Sequence, residues 1–243
     1  MELRGATALV TGANRGFGRQ LAVELVTRGA TVYAAARRPE LIDIAGVRPL
    51  RLDITDPGSV EAAARAAPDV DLLVNNAAST EIGNLVTGDP DVVRRMMDTH
   101  FHGTLAMIRA FAPVLAGNGG GAVLNVLSLV GWTSIASNTA LAAAKSAQWG
   151  LTNGVRLELA DQGTLVSGLF AGIIGTGTLR EAMRDAGIEL PSGVVNEPDE
   201  LARLALDGIE AGEIEILDRQ SAEAKAALSG PPRPFDPAAI ASS

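Results

Sequence analysis

The sequence predicts an α/β fold, a doubly wound parallel sheet with helices on both faces, and three observations lead to it. Short aliphatic runs alternate with helical patterns along most of the 243 residues, which is the order expected of parallel strands joined by right-handed crossovers. Apolar residues make up 47% of the chain and aromatics only 3%, so Ala, Val, Leu and Ile must build the core. Strands buried on both faces read as such runs instead of alternating polar and apolar positions. A glycine-rich segment, residues 11–18, separates the first aliphatic run from the first helical pattern.

Strands are expected at residues 6–11, 31–36, 49–54, 71–75, 122–128 and 165–170, with a weaker run at 213–217 suited to an edge. Between them, apolar residues recur at helical spacing over 18–28, 58–66, 91–115, 137–159 and 197–211. No internal repeat or second linker interrupts this order, so residues 1–229 are expected to form one domain. From Gly230, the prolines at 231, 232, 234 and 237 preclude a continuous helix, and residues 230–243 are expected to be a loose tail. Ligands of such sheets bind at the carboxyl ends of the strands, where the strand order reverses.

Composition excludes several classes of partner. A formal charge of −8 argues against nucleic acid and anionic membranes, both of which select basic surfaces. The absence of cysteine removes disulfides and thiolate metal sites. His100 and His102 stand two apart on an expected helix and point away from each other, so no metal site is expected. No apolar run approaches the ~20 residues of a membrane span, and no basic-then-apolar segment opens the chain. A soluble cytoplasmic protein is the expectation.

The glycine-rich segment reads Thr11-Gly12-Ala13-Asn14-Arg15-Gly16-Phe17-Gly18. Glycines let the backbone turn sharply and approach a pyrophosphate, while the following helix offers free N–H groups and a partial positive charge. Position between a strand and a helix gives the spacing its weight as a dinucleotide signal. Together with Asp53 closing strand three, Asn75-Asn76-Ala77-Ala78 after strand four, Ser128 after strand five and Lys145 in the next helix, this pattern resembles the short-chain dehydrogenase/reductase family, with the Tyr of its active site missing. The resemblance runs from the first strand through the seventh. It implies a Rossmann-type sheet of seven strands in the order 3-2-1-4-5-6-7, with a nicotinamide cofactor across its carboxyl edge. It further implies that Gly12, Asn14, Gly16, Phe17 and Gly18 cradle the pyrophosphate, that Asp53 and Ile54 meet the adenine, and that Asn75 and Ala77 lie near the cofactor ribose. Lys145 would bond the nicotinamide ribose. Gly172, Ile174 and Thr176, in a segment with Ala171 where the family has Pro, would hold the carboxamide and pyrophosphate.

The choice of nicotinamide cofactor follows from charge. An acidic residue at the end of strand two accepts from ribose hydroxyls and would repel a 2′-phosphate. Here strand two ends in Ala34-Ala35-Ala36-Arg37-Arg38, and Arg15 adds a cation within the glycine turn. Guanidinium groups bind phosphate through paired donors, so NADPH is the expected cofactor.

The catalytic end departs from the family. Its proton donor, a Tyr four residues before the Lys, is replaced by Leu141, and the only tyrosine of the chain is Tyr33 in strand two. His100 stands where the family usually has an Asn. Hydride chemistry resides in the cofactor, but ketone reduction also consumes a proton, and general acid catalysis is worth about 10²–10⁴-fold. An iminium needs no such proton. Reduction of an activated C=N⁺ substrate, free or formed from a hemiaminal, is therefore the first reading, with Ser128, Lys145 and His100 as the catalytic set. Two alternatives stay open: a silent NADP-binding member, and a carbonyl reductase drawing its proton from His100, Ser128 or water.

The substrate pocket is expected between residues 79–83, 131–138 and 178–187. Trp132 offers a face for stacking or packing, Glu81 a carboxylate suited to a cation, and the segment with Arg180, Glu181, Arg184 and Asp185 resembles a substrate lid. The Ala- and Leu-rich faces of the two long helices resemble the family's dimer-forming pair, so a homodimer or homotetramer acting on a small molecule is expected.

Overall fold

The computed structural model describes residues 1–79, 81–136, 138–185 and 194–230. In chain order its strands are β1 Thr7–Thr11, β2 Thr31–Ala36, β3 Arg48–Arg51, β4 Leu72–Asn75, β5 Ala122–Val126, β6 Leu165–Phe170, β7 Ile173–Ile174, β8 Val195–Asn196 and β9 Glu215–Leu217. Seven of them form one parallel sheet in the order β3-β2-β1-β4-β5-β6-β9, and β7 and β8 pair separately. The sheet order is the one expected, with β9 as the seventh strand.

Eight α-helices accompany the strands among the described residues: α1 Gly16–Thr27, α2 Pro57–Ala66, α3 Pro90–Met97, α4 Thr104–Gly117, α5 Thr139–Glu158, α6 Gly177–Asp185, α7 Pro198–Ala211 and α8 Arg219–Ala226. Their starts follow local chemistry. Asp56, Asp89, Asn138 and Asp218 each accept a hydrogen bond from a backbone N–H of the first turn, satisfying a donor that has no partner within the helix. Prolines at 57, 90 and 198 open helices with a preset φ and no wasted donor. Gly212, at φ +77°, closes α7 in the left-handed region.

Strand alternation sorts the core into two layers. Ala8 and Val10 of β1 face Leu21 and Leu25 of α1 and Leu201 and Leu206 of α7. Leu9 joins Leu73, Val123, Met107 and Phe111 of α4, and Val155 of α5, in the opposite layer. The two-residue period of the strand is what divides them. Every residue of β1 is buried, which explains why its sequence shows no polar alternation.

Departures from the sequence expectation have local causes. Residues 91–115 do not form one helix: α3 and α4 are joined by a π-helical segment, Asp98–Gly103. A π turn widens the coil by one residue without breaking the apolar stripe, so periodicity alone does not reveal it. The expected start of the long helix at Ser137 lies outside the described residues, and α5 begins at Thr139. Strands β3 and β5 stop before Asp53, Ile54 and Ser128, which sit in the turns beyond the strand ends, and β9 is two residues shorter than expected. Helix α8 and the β7–β8 pair were not legible, being short and stabilised mainly by tertiary contacts. The expected tail lies outside the described residues from Pro231 onward.

One ion cluster locks α1 to α7. Arg28, whose side chain is 16% exposed, pairs with Glu24 at 2.9 Å and with Asp207 and Glu210 at 2.8 Å each, and donates to the Arg203 carbonyl. A network anchored by one half-buried guanidinium is worth more than isolated surface pairs. Arg28→Met is expected to lower unfolding stability by about 1–3 kcal/mol in urea melts, while Arg65→Met, which breaks an exposed pair with Glu61, changes it by less than about 0.5 kcal/mol.

Candidate functional site

The carboxyl ends of β1 and β4 are tied together by one hydroxyl. Thr11 Oγ1 donates to the Val74 carbonyl and accepts from the backbone N–H groups of Asn76 and Ala77, both at 2.9 Å. Asn76 Nδ2 returns a bond to the Thr11 carbonyl at 2.9 Å. This knot holds the glycine-rich turn against the chain that leaves β4. Gly12 and Gly16 lie at φ +68° and +58°, where side chains are strained. A Cβ on Gly12 would stand 3.1 Å from the Ala77 backbone, one on Gly16 would stand 3.4 Å from Thr176, and one on Gly18 would collide with Asn76 and the Gly12 carbonyl. The three glycines thus permit three different close approaches. Phe17 is buried beneath the turn, and Asn14 is half-buried on it.

Cations border this cradle. Arg15 caps α1 with extended backbone and no side-chain capping bond. Arg37 and Arg38 follow β2, whose Ala35 carbonyl accepts from Ala13 in the glycine turn at 3.0 Å. All three are exposed, and none forms an ion pair among the described residues, whereas the neighbouring Arg19 is bound to Asp43 at 2.8 Å. Asp53 is engaged locally: its carboxylate accepts from the Thr55 N–H and hydroxyl at 3.0 and 2.7 Å. Ile54 is buried against the backbone at Gly103, where a Cβ would approach it to 2.9 Å.

A buried polar chain crosses from β4 to α5. Asn75 and Asn125 are register partners on adjacent strands, and Asn75 Nδ2 donates to Asn125 Oδ1 at 2.9 Å. Asn125 Nδ2 donates to Thr152 Oγ1 at 2.9 Å, and Thr152 Oγ1 to the Gln148 carbonyl at 2.8 Å. Asn75 Oδ1 is left buried and unpartnered. Lys145 Nζ, on the same helix, donates to the Val126 carbonyl at 2.8 Å and to Gln148 Oε1 at 2.9 Å. Burial pushes its pKa down from the ordinary lysine value to about 7, because desolvation penalises the charged form.

His100 is completely buried in the π segment. Its pKa is pushed well below the usual histidine range by burial and by the facing Lys145 charge, and the Ser79 backbone opposes this only partly. Neither ring nitrogen makes a hydrogen bond of ordinary length and angle, so the ring is neutral near pH 7. Ser128 leads into the turn after β5, donating from Oγ to the Ala171 carbonyl at 3.1 Å and accepting from the Val130 N–H at 3.4 Å. Leu141, one turn before Lys145 on α5, packs beside Met96, Ala140 and Ala144.

The segment after β6 is fixed from behind. Gly172 N–H donates to Asp218 at 2.7 Å, and a Cβ there would clash with Gln220. Ile174 lies in β7, and Thr176 faces Gly16, closing the glycine turn from the far side. The structure gives partners to three residues of the expected pocket. Trp132 is stacked on Phe170, ring centroids 4.0 Å apart, with Trp149 edge-on at 6.2 Å, so its face is taken by packing. Glu81 is held in a bidentate pair with Arg95 and is not a free carboxylate. Arg180 of α6 is likewise occupied, donating to the Gly175 carbonyl and pairing with Glu197 at 2.6 Å; residues 186–187 of the expected lid lie outside the described residues.

Sequence reasoning did not select Asn76, Thr104, Gln148 or Asp218. A signal existed for Gln148 and Thr152: both are polar residues on the buried stripe that Ala144 and Val155 define on α5, where an apolar side chain would be the default.

Known proteins of similar sequence and fold exist. A family model described as short chain dehydrogenase covers residues 6–187. A 3-oxoacyl-[acyl-carrier-protein] reductase of Vibrio harveyi is 34% identical over 217 residues, 83% of this chain and 88% of that protein. A 7alpha-hydroxysteroid dehydrogenase of Clostridium sardiniense is 30% identical over 225 residues, 84% of this chain and 86% of the relative. A solved short chain dehydrogenase from Burkholderia cenocepacia, in complex with NADP, superposes with a TM-score of 0.86 at 33% identity, covering 100% of this chain and 98% of the other.

The depressed Lys145 pKa carries a stability signature. Between about 7 in the folded chain and ~10.4 in the unfolded one, the unfolded state binds the extra proton. Stability therefore rises as pH increases through this window and is lowest below it. Lys145→Met is expected to lack that rise, so that the stability difference between the two proteins, read by urea denaturation at pH 6.5 and 9, changes by a few kcal/mol in favour of the lysine form at the higher pH.

Proposed function

The chain belongs to the short-chain dehydrogenase/reductase family, and we propose from that premise that it is an NADPH-dependent oxidoreductase acting on an activated C=N⁺ carbon instead of a plain ketone. Its residues fit the cofactor. A glycine cradle that a Cβ would fill, three arginines around it with no ion pair among the described residues, and a buried Asn75 acceptor without a partner among them suit a phosphorylated dinucleotide. In this reading Gly12, Asn14, Gly16, Phe17, Gly18 and Thr176 receive the pyrophosphate, Gly172 and Ile174 shape the carboxamide end, and Asp53 and Ile54 border the adenine. Asn75 and Ala77 approach the ribose. Arg15, Arg37 and Arg38 take the 2′-phosphate through paired guanidinium donors. Lys145 holds the nicotinamide ribose.

The observation that carries the substrate reading is Leu141. One helical turn before Lys145 it presents hydrocarbon, packed among Met96, Ala140 and Ala144, where reduction of a ketone needs an acid. His100 is withdrawn from that role by burial and a depressed pKa, and Ser128 spends its proton on the Ala171 carbonyl. NADPH, when bound, would supply one hydride. Addition of that hydride to an iminium carbon moves the C=N π pair onto nitrogen and yields a neutral amine, with no proton consumed at the carbon or the nitrogen. A hemiaminal reaches the same iminium by losing its hydroxyl as water, with a proton from solvent and push from the nitrogen lone pair. Leu141 keeps the reacting face dry, and Ser128 retains lone pairs to orient the substrate.

Two outcomes follow. Arg15→Ala and Arg37→Ala are each expected to raise the NADPH Kd roughly tenfold, about 1.4 kcal/mol, with NADH binding changed less than about twofold; equal losses for both cofactors in fluorescence titrations would remove the phosphate assignment. Against a panel of cyclic imines and matched ketones, the protein is expected to oxidise NADPH with the imines, and Leu141→Tyr to gain ketone reduction by at least ~10². Turnover of ketones alone by the unaltered protein contradicts the substrate reading.

A further inference from the structure

We propose that Gln148 is a positioning residue for Lys145: its side-chain carbonyl, aimed by Thr104, pins the Lys145 Nζ against the Val126 carbonyl and keeps the amine protonated. The proposal rests on the reading that Lys145 serves the cofactor, but its geometry is independent of it. Gln148 Oε1 accepts from Lys145 Nζ at 2.9 Å, and its Nε2 donates to Thr104 Oγ1 at 3.0 Å. Lys145, Gln148 and Thr104 are 7%, 1% and 2% exposed. An ammonium has donors and no acceptor, so the amide must turn its oxygen to Lys145, and Thr104 takes the other end. Thr104 is the first residue of α4, immediately after the π segment, so the widened turn sets where that hydroxyl stands.

Donor arithmetic gives the clamp a consequence. A protonated Lys145 has three N–H donors; two are committed to Val126 and Gln148, leaving one for the ribose in the cleft. A neutral amine has two donors, both committed, and none left to offer. The groups facing Lys145 are the Val126 carbonyl from β5, Gln148 from α5 itself and the neutral His100 from the π segment; no carboxylate among the described residues acts on it. Gln148 is therefore the side chain that favours the charged form against its burial.

The chain contains two lysines, Lys145 and Lys225, so an NMR titration of protein carrying ¹³C,¹⁵N-labelled lysine reads Lys145 directly, with Lys225→Arg to assign the signals. In the unaltered protein Lys145 is expected to titrate near 7. Gln148→Glu, whose carboxylate the Thr104 hydroxyl can serve as donor, is expected to raise the midpoint by about one pH unit or more, and Gln148→Met to lower it by about one unit. Thr104→Val, which frees the amide to swing away, is expected to lower it by a smaller amount. Movement of the Glu and Met variants in the same direction, or neither moving, overturns the proposal. Should the Glu variant fail to fold, the Met and Val variants decide, and an unshifted midpoint in both is equally fatal. Adding NADPH to the unaltered protein separates the two claims: a Lys145 resonance indifferent to NADPH counts against the cofactor role, while opposite shifts at Gln148 still establish the clamp.

Discussion

Helix α5 lies on the sheet along a line of buried polar pairs, Lys145 with the Val126 carbonyl and Thr152 with Asn125, and its register depends on them. Sliding the helix by one residue would strand each of these groups away from water, at about 1–3 kcal/mol for every partner left unmade. Apolar packing alone is more forgiving, since Ala, Leu and Val exchange neighbours at little cost. With the register fixed, Asn138 falls where it caps the helix and also accepts from Gly83. Leu141 then comes to face the helix α3 side chains, and Gly131 passes the Lys145 carbonyl at a distance only glycine tolerates comfortably, 3.2 Å for an added Cβ. Placement of Leu141 and Gly131 is thus a consequence of polar pairing inside the core.

Between β1 and β4, the central strands of the sheet, the same logic pairs side chains with backbone groups. The Thr11 hydroxyl and Asn76 close the gap between β1 and β4, and glycines leave the surface of that closure free of Cβ atoms. What remains is a concave strip of peptide groups bordered by guanidinium groups that no carboxylate neutralises among the described residues. This half of the molecule holds the features on which the cofactor proposal rests. The half across from it presents Leu141 one turn before Lys145. The two halves therefore support different proposals: cofactor binding rests on the glycine cradle and its cations, and substrate class on the hydrocarbon of Leu141.

Much of this was legible in the sequence because the relevant forces are local or periodic. Aliphatic runs located all seven sheet strands, and the glycine turn located the edge where they end. Lys145 and Leu141 were singled out by the family resemblance. The π segment was not, because a turn widened by one residue leaves the stripe of Met96, Met107 and Phe111 on the core side. The fates of Trp132 and Glu81 were not legible either. Both depend on partners distant in sequence or set by loop conformation, Phe170 for one and Arg95 for the other, and neither partner is marked by any pattern. Gln148 was visible as a polar residue on a buried stripe, yet its pairing with Lys145 required knowing how Thr104 is presented after the π turn.

The central proposal is that hydride transfer proceeds here without proton transfer to the substrate. Single-turnover reduction of a permanently charged N-alkyl cyclic iminium by [4-²H]NADPH and by unlabelled NADPH, in H₂O and in D₂O, isolates that step. The account predicts a primary isotope effect from the cofactor deuterium, label at the former iminium carbon, and no solvent effect on the hydride step. Failure to reduce the iminium at all, or a solvent isotope effect on the same step, would contradict it.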